Sequence, residues 1–252
     1  MSKLSKVIKR VANLMGYDIK RTPQRDASIP VEFSKIERKV FHYIFDNKLT
    51  MVSPQRLIAT ILASKYVLNS KIDGDFVECG VWRGGNALAA KMIFEAYDCE
   101  KKVYLFDAFS GMTEPVNSDW RIRDGVSAKQ KFEWVDEVCY ASLHDVKKNF
   151  EKARVDMNTV KFVMGDVSET LLVDKNLPKN ISVLRLDTDW YESTLIEMKQ
   201  LYPLLSTKGV LLIDDYGYWD GARKAIEHFF QNSDYKRPFI QLTDQEGRSA
   251  IK

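Results

Sequence analysis

The chain has 252 residues, 45% of them apolar, so it can fold around one hydrophobic core and is too apolar for a disordered protein. Its 38 basic and 35 acidic side chains leave a net charge of +3, which does not indicate a nucleic-acid partner. We find no apolar run near the roughly 18 residues of a membrane span and no CxxC pair among the three cysteines, and therefore predict a cytoplasmic protein without integral membrane association.

Residues 1–50 are predicted to form an N-terminal helical segment. From Leu4 onward, apolar residues recur at helical spacing, with lysine and arginine off that stripe. Such a helix lies on a membrane surface or packs on its own domain or a partner subunit; we favour packing and expect a homo-oligomer. After a polar linker, two more helices are predicted at about 34–47 and 54–68, the second with Ser53 as its N-cap.

From residue 75 onward, short apolar runs alternate with helical patterns. The runs are 75–79, 102–107, 160–166, 181–187 and 209–215, and the helical patterns are about 86–97, 142–153, 192–205 and 221–231. Strands that alternate with helices predict an α/β domain with a doubly wound, mostly parallel sheet. The last residues predict a C-terminal antiparallel hairpin that turns near Glu246-Gly247.

Acidic residues stand at the ends of the predicted strands. The first run carries Glu78 near its end, and the other four end in Asp107, Asp166, Asp187 and the pair Asp214-Asp215. In open α/β sheets, ligands bind in the crevice outside the carboxyl ends of the strands, so we expect these acids to face one cleft. Any one of them taken alone could simply cap a helix.

The loop after the first strand has the order E-x-G-x-x-x-G, formed by Glu78, Gly80 and Gly84. Glycines at such a turn let the backbone approach a ligand closely. The spacing differs from the dinucleotide fingerprint G-x-G-x-x-G, and a carboxylate at Glu78 would repel a pyrophosphate. It would instead attract an ammonium group, such as the amino-acid end of S-adenosylmethionine.

Two further acids suit the rest of that ligand. Asp107, about twenty residues beyond the glycines, is where a carboxylate can accept hydrogen bonds from both ribose hydroxyls. Asp166, with Ser168 beyond it, could receive the adenine amino group. Together with the glycine loop, these residues predict a site for an adenosine-bearing ligand.

The Asp214-Asp215 pair and Asp187 end neighbouring strands and are expected to meet. Two carboxylates about 4 Å apart repel by roughly 4 kcal/mol at an effective dielectric near 20, so the cluster must take up a proton or a cation. Oxygen ligands without histidine or cysteine favour magnesium, or manganese or calcium, over zinc. Such an ion can lower the pKa of a substrate hydroxyl, and Asp189 is placed to take the proton. The alternative is that Asp214 caps a helix and Asp215 is solvated.

Other functions remain open at this point. The D-x-D order of residues 187–189 is also typical of a metal-dependent glycosyltransferase, although that enzyme has no need for Glu78 in a glycine loop. A non-catalytic binding module with the same fold is a third possibility. Residues 120–138 are either a loop that closes over substrate or a solvated insertion.

Five stretches of the chain carry a family resemblance: DGDFVECGVWRGG, YLFDAFSGMTEP, GDVSETL, LRLDTDWYEST and LLIDDYGYWDGARKAIEHF. They closely resemble the macrocin O-methyltransferase family, which includes sugar methyltransferases of macrolide and aminocoumarin pathways. The resemblance runs from about Thr50 to the C-terminus. The first fifty residues lie outside it, and the resemblance implies that this segment is a lid or an oligomer contact. The resemblance implies a Rossmann-like class I methyltransferase domain at 51–252.

The resemblance also implies an activity and a set of site residues. The enzyme would use S-adenosylmethionine and a divalent ion, usually Mg²⁺, to methylate a hydroxyl of a sugar in a glycan or glycosylated natural product. By resemblance, the metal ligands are Asp187, Asp214 and Asp215, and the general base is Asp189. The donor contacts are Glu78, Gly80, Asp107, Ser110, Asp166 and Ser168, with Met51 covering the donor pocket.

Overall fold

The structure is a computed structural model that describes residues 29–116, 119–131 and 139–252. Within these ranges the strands are β1 (Asp75–Cys79), β2 (Val103–Asp107), β3 (Val160–Met164), β4 (Ile181–Leu186), β5 (Leu205–Ile213), β6 (Gln241–Leu242) and β7 (Arg248–Ile251). They form one sheet in the order β3-β2-β1-β4-β5-β7-β6. The first five are parallel, and β7 runs antiparallel to both β5 and β6. The doubly wound sheet and the C-terminal hairpin are thus confirmed.

The six helices predicted within these ranges are present, together with two short helices at 128–131 and 167–170 that the sequence did not predict. They are α1 (Lys35–Asp46), α2 (Pro54–Asn69), α3 (Gly85–Ala96), α4 (Ala128–Lys131), α5 (Leu143–Ala153), α6 (Val167–Thr170), α7 (Tyr191–Leu201) and α8 (Asp220–Gln231). The Ser53 side chain accepts a hydrogen bond from the Arg56 N–H, which confirms the predicted cap of α2. The predicted helix at 192–205 is shorter, because a 3-10 turn at Tyr202–Leu204 follows α7 and leads directly into β5.

The helices cover the two faces of the sheet. On one face, side chains of α7 and α8 such as Met198 and Ile226 pack with Val77 and Leu184 of the central strands. Residues next to these in sequence point to the other face, where α2 and α3 lie against the sheet. Arg185 of β4, in register with Glu78 of β1, belongs to that second face.

The N-terminal predictions are only partly covered by the structure. The amphipathic pattern that begins at Leu4 lies outside the described residues. Residues Glu32–Lys252 form one compact unit, in which α1 packs against α3. The division into residues 1–50 and 51–252 stays a prediction. No helix within the described ranges is long and apolar enough to cross a membrane.

Candidate active site

A cavity of about 490 Å³ opens beyond the carboxyl ends of the five parallel strands. Eight of the predicted site residues line it: Met51, Gly80, Asp107, Asp166, Asp187, Asp189, Asp214 and Asp215. Four do not line it: Glu78, Gly84, Ser110 and Ser168. The acids at the ends of β2, β3, β4 and β5 therefore do face one cleft, as the sequence predicts for an open parallel sheet. The prediction was wrong for Glu78 of β1, which does not line the cavity.

Gly80 has no room for a side chain. Its φ is +76°, and a Cβ there would lie 2.0 Å from the backbone oxygen of Asp187. Gly84, with φ +79°, is the N-cap of α3, and a Cβ there would lie 2.9 Å from the Phe150 ring. Gly80 thus lets β1 and β4 meet at the cavity, whereas Gly84 is explained by packing.

Asp107 holds the glycine loop in place. Its Oδ2 accepts hydrogen bonds from the backbone N–H groups of Val81 (2.7 Å) and Trp82 (3.2 Å). Its Oδ1 accepts one from the N–H of Phe109 at 2.7 Å. Burial raises the pKa of this carboxyl, and the three backbone donors counteract the rise. The residue predicted to bind ribose therefore also ties the ends of β1 and β2 together.

Glu78 lies behind the cavity wall and is 1% exposed. Its Oε2 accepts the Ala87 N–H at 2.9 Å, and its Oε1 pairs with the Arg185 guanidinium at 2.9 Å. Burial raises its pKa to about 7, although Arg185 opposes the rise. The structure thus pairs Glu78 with an internal arginine and a helix N-terminus; its role toward the donor ammonium stays a prediction.

The adenine side of the predicted donor site is built on a helix cap. The Asp166 side chain lines the cavity and accepts the Ser168 N–H at 2.7 Å, so it caps α6. Ser168 and Ser110 are exposed and lie outside the cavity lining. Met51, which is 59% exposed, lies on the cavity wall before α2.

The three aspartates predicted to bind a metal do come together. Each offers a carboxylate oxygen, and these oxygens lie within 4.8 Å of one another. The ladder explains the proximity, because the Asp187 N–H donates to the carbonyl of Cys79 at 2.9 Å and the Asp214 N–H to that of Leu186 at 2.9 Å. Adjacent parallel strands therefore deliver these carboxylates to one place.

Two arginines that the sequence reading missed contact this cluster. Arg185, 2% exposed, bonds Asp187 Oδ2 through Nη1 at 2.6 Å and Asp214 through Nη2. Arg56 of α2 bonds the other Asp214 oxygen through its Nη1. Burial disfavours the charged form of Arg185, but the surrounding carboxylates outweigh it and raise its pKa above the usual range.

The three aspartates of the cluster still outnumber the two arginines that contact it. Burial raises the pKa of Asp187 well above its ordinary value, as do the neighbouring Asp214 and Asp215. Burial and Asp189 do the same for Asp215. Asp215 Oδ2 is buried and has no hydrogen-bond partner among the described residues. A buried carboxylate oxygen without a partner, beside two more aspartates, fits a hard divalent cation.

Asp189 lies on the cavity wall next to this cluster, in the left-handed region with φ +69°. Burial, together with the charges of Asp187 and Asp214, raises its pKa to about 7, and a hydrogen bond with Asp215 opposes the rise. A carboxyl with that pKa exchanges protons near neutral pH, which suits a general base.

An apolar wall faces the acids. Tyr218 and Trp219 line the cavity with Met112, and Trp190 packs edge-to-face behind Trp219 with ring centroids 5.1 Å apart. Tyr191 and Tyr216, which neighbour these residues in sequence, do not line the cavity.

The sequence profile of one protein family, macrocin-O-methyltransferase (TylF), matches residues 7–248. The chain belongs to the macrocin O-methyltransferase family. It is therefore an S-adenosylmethionine-dependent O-methyltransferase with the predicted class I fold. The profile match begins well before Thr50, so the view that the first fifty residues lie outside the family pattern was wrong.

Three characterised O-methyltransferases are similar to this protein over most of the chain. A tetracenomycin-C rhamnosyl 4′-O-methyltransferase of Streptomyces olivaceus is 34% identical over 71% of this chain and 67% of its own length. Mycinamicin III 3″-O-methyltransferase of Micromonospora griseorubida is 32% identical over 79% and 76%. Demethyldecarbamoylnovobiocin O-methyltransferase of Streptomyces niveus is 30% identical over 80% and 74%.

Solved structures agree on the fold. The O-methyltransferase NovP aligns with a TM-score of 0.71 and 27% identity, over 81% of each chain. The calicheamicin methyltransferase CalS11 aligns with a TM-score of 0.60 over 93% of this chain and 98% of its own, and its 16% identity shows a shared fold alone. All of these proteins are named as methyltransferases, so nothing supports the glycosyltransferase alternative.

Proposed function

We propose that this macrocin-family enzyme transfers the methyl group of S-adenosylmethionine to a hydroxyl of a sugar in a glycosylated natural product or a glycan, with Mg²⁺ in the site. The observation that carries the proposal is the meeting of Asp187, Asp214 and Asp215 in the cavity whose other strand ends suit an adenosine-bearing donor. The tetracenomycin relative, whose name specifies a rhamnosyl 4′-oxygen, supports a sugar acceptor.

The donor would bind along the ends of β1, β2 and β3. Each carboxylate oxygen can accept two hydrogen bonds, and Asp107 Oδ1 already accepts one, from Phe109. It therefore has capacity left for a ribose hydroxyl. Gly80 leaves the backbone bare where the donor passes between β1 and β4.

The residues that would hold the ion are Asp187, Asp214 and Asp215. When bound, a hard divalent cation lowers the pKa of an alcohol beside it and offsets negative charge. Arg185 and Arg56 fix the carboxylates of Asp187 and Asp214, so the geometry of the cluster is set by the protein itself.

Asp189 would take the proton of the sugar hydroxyl. As the sugar oxygen bonds to the methyl carbon, the bond between that carbon and the donor sulfur breaks, and the donor leaves as a neutral thioether. Asp189 must be ionised to act, and a pKa of about 7 keeps a useful ionised fraction at neutral pH. Tyr218 and Trp219 would pack against the apolar face of the sugar.

Methyl transfer from labelled S-adenosylmethionine to a panel of nucleotide-sugars, glycans and glycosylated natural products tests the proposal, with Mg²⁺ and with a chelator. We expect Mg²⁺-dependent labelling of a sugar. Asp107→Ala should bind the donor at least about tenfold more weakly. Asp215→Asn should bind the donor but transfer no methyl group. Asp156→Asn, at an exposed aspartate remote from the cavity, is the matched control.

Two results would contradict the proposal. Equal donor affinity in Asp107→Ala and the parent would show that Asp107 does not bind the donor. Methyl transfer that is unaffected by a chelator would show that the reaction needs no divalent cation.

A cytoplasmic location and self-association stay predictions. The cysteines of the described ranges, Cys79, Cys99 and Cys139, are all free, which supports a reducing compartment. Light scattering across protein concentrations would test self-association.

A further inference from the structure

Thr188, between Asp187 and Asp189, is held by two side chains of α7. Its hydroxyl oxygen lies 2.8 Å from Glu197 Oε1 and 2.8 Å from Ser193 Oγ. Ser193 Oγ also lies within hydrogen-bond distance of the Thr188 carbonyl, at 3.4 Å. Helix α7 thus contacts Thr188 through both its side chain and its backbone.

Glu197 is an unusual residue at its position. It is fully buried, and its Oε2 has no hydrogen-bond partner among the described residues. It occupies the inner stripe of α7 with Thr194, Met198 and Leu201, where an apolar side chain would fill the space without a desolvation cost. A buried acid kept at such a cost indicates a role other than packing.

The segment that Glu197 contacts, residues 187–189, has a backbone conformation that requires support from its surroundings. Asp189 adopts a positive φ of +69°, which is unfavourable for a residue with a side chain and persists only when its surroundings fix it. The Asp187 carbonyl lies close against Gly80, which limits movement of the strand end toward β1. The contacts from Ser193 and Glu197 of α7 hold Thr188, the residue between the two aspartates.

We propose that Glu197 is a positioning residue for methyl transfer: through Thr188 it fixes the turn that aims Asp189 into the cavity. The inference rests on the proposed function, in which Asp189 accepts the proton of the sugar hydroxyl. Glu197 itself touches neither donor nor acceptor, because it does not line the cavity.

The donor and acceptor of each hydrogen bond in this network can be assigned consistently. Thr188 has one hydroxyl proton and two close neighbours, so one of the neighbours must donate to it. Burial raises the pKa of Glu197 to about 8, so its carboxyl is mainly protonated at neutral pH and can be that donor. Thr188 then donates to Ser193, whose hydroxyl donates to the carbonyl of Trp190 at 3.2 Å. A glutamine at position 197 can donate in the same way, whereas a leucine cannot.

The test compares Glu197→Leu, Glu197→Gln and Thr188→Val in the full-length protein. The first readout is amide hydrogen exchange at Trp190, whose N–H donates to the Thr188 carbonyl at 2.8 Å. The second is the split between kcat and KM for S-adenosylmethionine. Glu37→Gln, which changes another fully buried acid, in α1, is the matched control: it should leave kcat and KM unchanged, and any faster exchange should be spread over the whole domain rather than centred on Trp190.

We expect Glu197→Leu and Thr188→Val to speed exchange at Trp190 and to lower kcat by about 10- to 100-fold, with KM changed by less than about threefold. Their effects should be non-additive in the double variant, because both remove the same contact. Glu197→Gln should restore both readouts to near the parent values.

The outcomes separate this inference from the proposed function. Parent-like exchange and kcat in Glu197→Leu would overturn the inference. Faster exchange along the whole of α7 with a lower Tm would also overturn it, because Glu197 would then be structural only. If the parent protein methylates no acceptor while Glu197→Leu still speeds exchange at Trp190, the proposed function fails and the role of Glu197 in holding the turn is supported.

Discussion

Replacing Arg185 by methionine should destabilise the protein strongly. Arg185 is 2% exposed and pairs with three carboxylates, those of Glu78, Asp187 and Asp214. Methionine has a similar length and no charge, so the carboxylates would stay buried without their main counter-ion.

The size of the loss follows from the geometry. Two unit charges within 4.8 Å, the spacing of the aspartate cluster, repel by at least about 3 kcal/mol at an effective dielectric near 20. Removing one partner of a buried ion pair generally costs about 3–5 kcal/mol. We therefore expect Arg185→Met to lower the free energy of unfolding by about 3–5 kcal/mol at pH 7.5.

The loss should depend on pH. Without Arg185, the folded-state pKa of Glu78 and of Asp187 rises further above the unfolded value, so these groups destabilise the fold increasingly as the pH rises above about 4. The deficit should be larger at pH 8 than at pH 5, and Mg²⁺ should recover part of it by binding the aspartates.

Urea denaturation at pH 5 and pH 8, with Mg²⁺ or with chelator, measures these effects. Arg223→Met is the control: that arginine is 43% exposed and pairs with Asp220 at the surface, so its loss should cost less than about 1 kcal/mol. Equal stability of the two variants at pH 8 would refute the view that Arg185 neutralises the cluster.

Two further substitutions test the backbone and the N-terminal helices. Gly80→Ala should cost about 2–4 kcal/mol in a denaturant titration, because its Cβ meets the Asp187 carbonyl, whereas Gly125→Ala, with φ +66° and open space, should cost about 1 kcal/mol. Glu37→Gln should lower stability by on the order of 2 kcal/mol at pH 7. Despite burial, hydrogen bonds from Ser34 and other side chains lower the pKa of Glu37 to about 2, so this contribution is complete above about pH 4.5 and is lost as the pH falls through 2. A stability difference that persists unchanged at pH 2 would count against this account.

The sequence predicts the sheet and the acids at its strand ends because both are local signals. Apolar runs of strand length alternate with helical patterns, and parallel strands bring their ends to one edge. Asp187, Asp214 and Asp215 could therefore be placed together without coordinates. The hairpin was predicted in the same way, from the turn near Glu246.

The counter-ions were not predicted, because most of their partners are distant in sequence. Arg185 interrupts the apolar run ISVLRL, and a charge in a buried strand signals a buried partner. Arg56 carries no such signal, since it lies at a helix start among polar residues. Glu197 had a weaker one: it falls at helical spacing with Thr194, Met198 and Leu201, on the buried stripe of α7.

Arg56 joins parts of the chain that are far apart in sequence. It contacts Asp214, and it also bonds Asp244 through Nε at 3.0 Å and Glu246 through Nη2 at 2.7 Å, both in the C-terminal hairpin. Arg56 itself lines the cavity, as does Met51 just before α2. One guanidinium therefore contacts the hairpin and also forms part of the cavity wall. Chimeras that exchange the C-terminal hairpin between relatives will therefore need to carry over acids that match this arginine, or to exchange the start of α2 together with the hairpin.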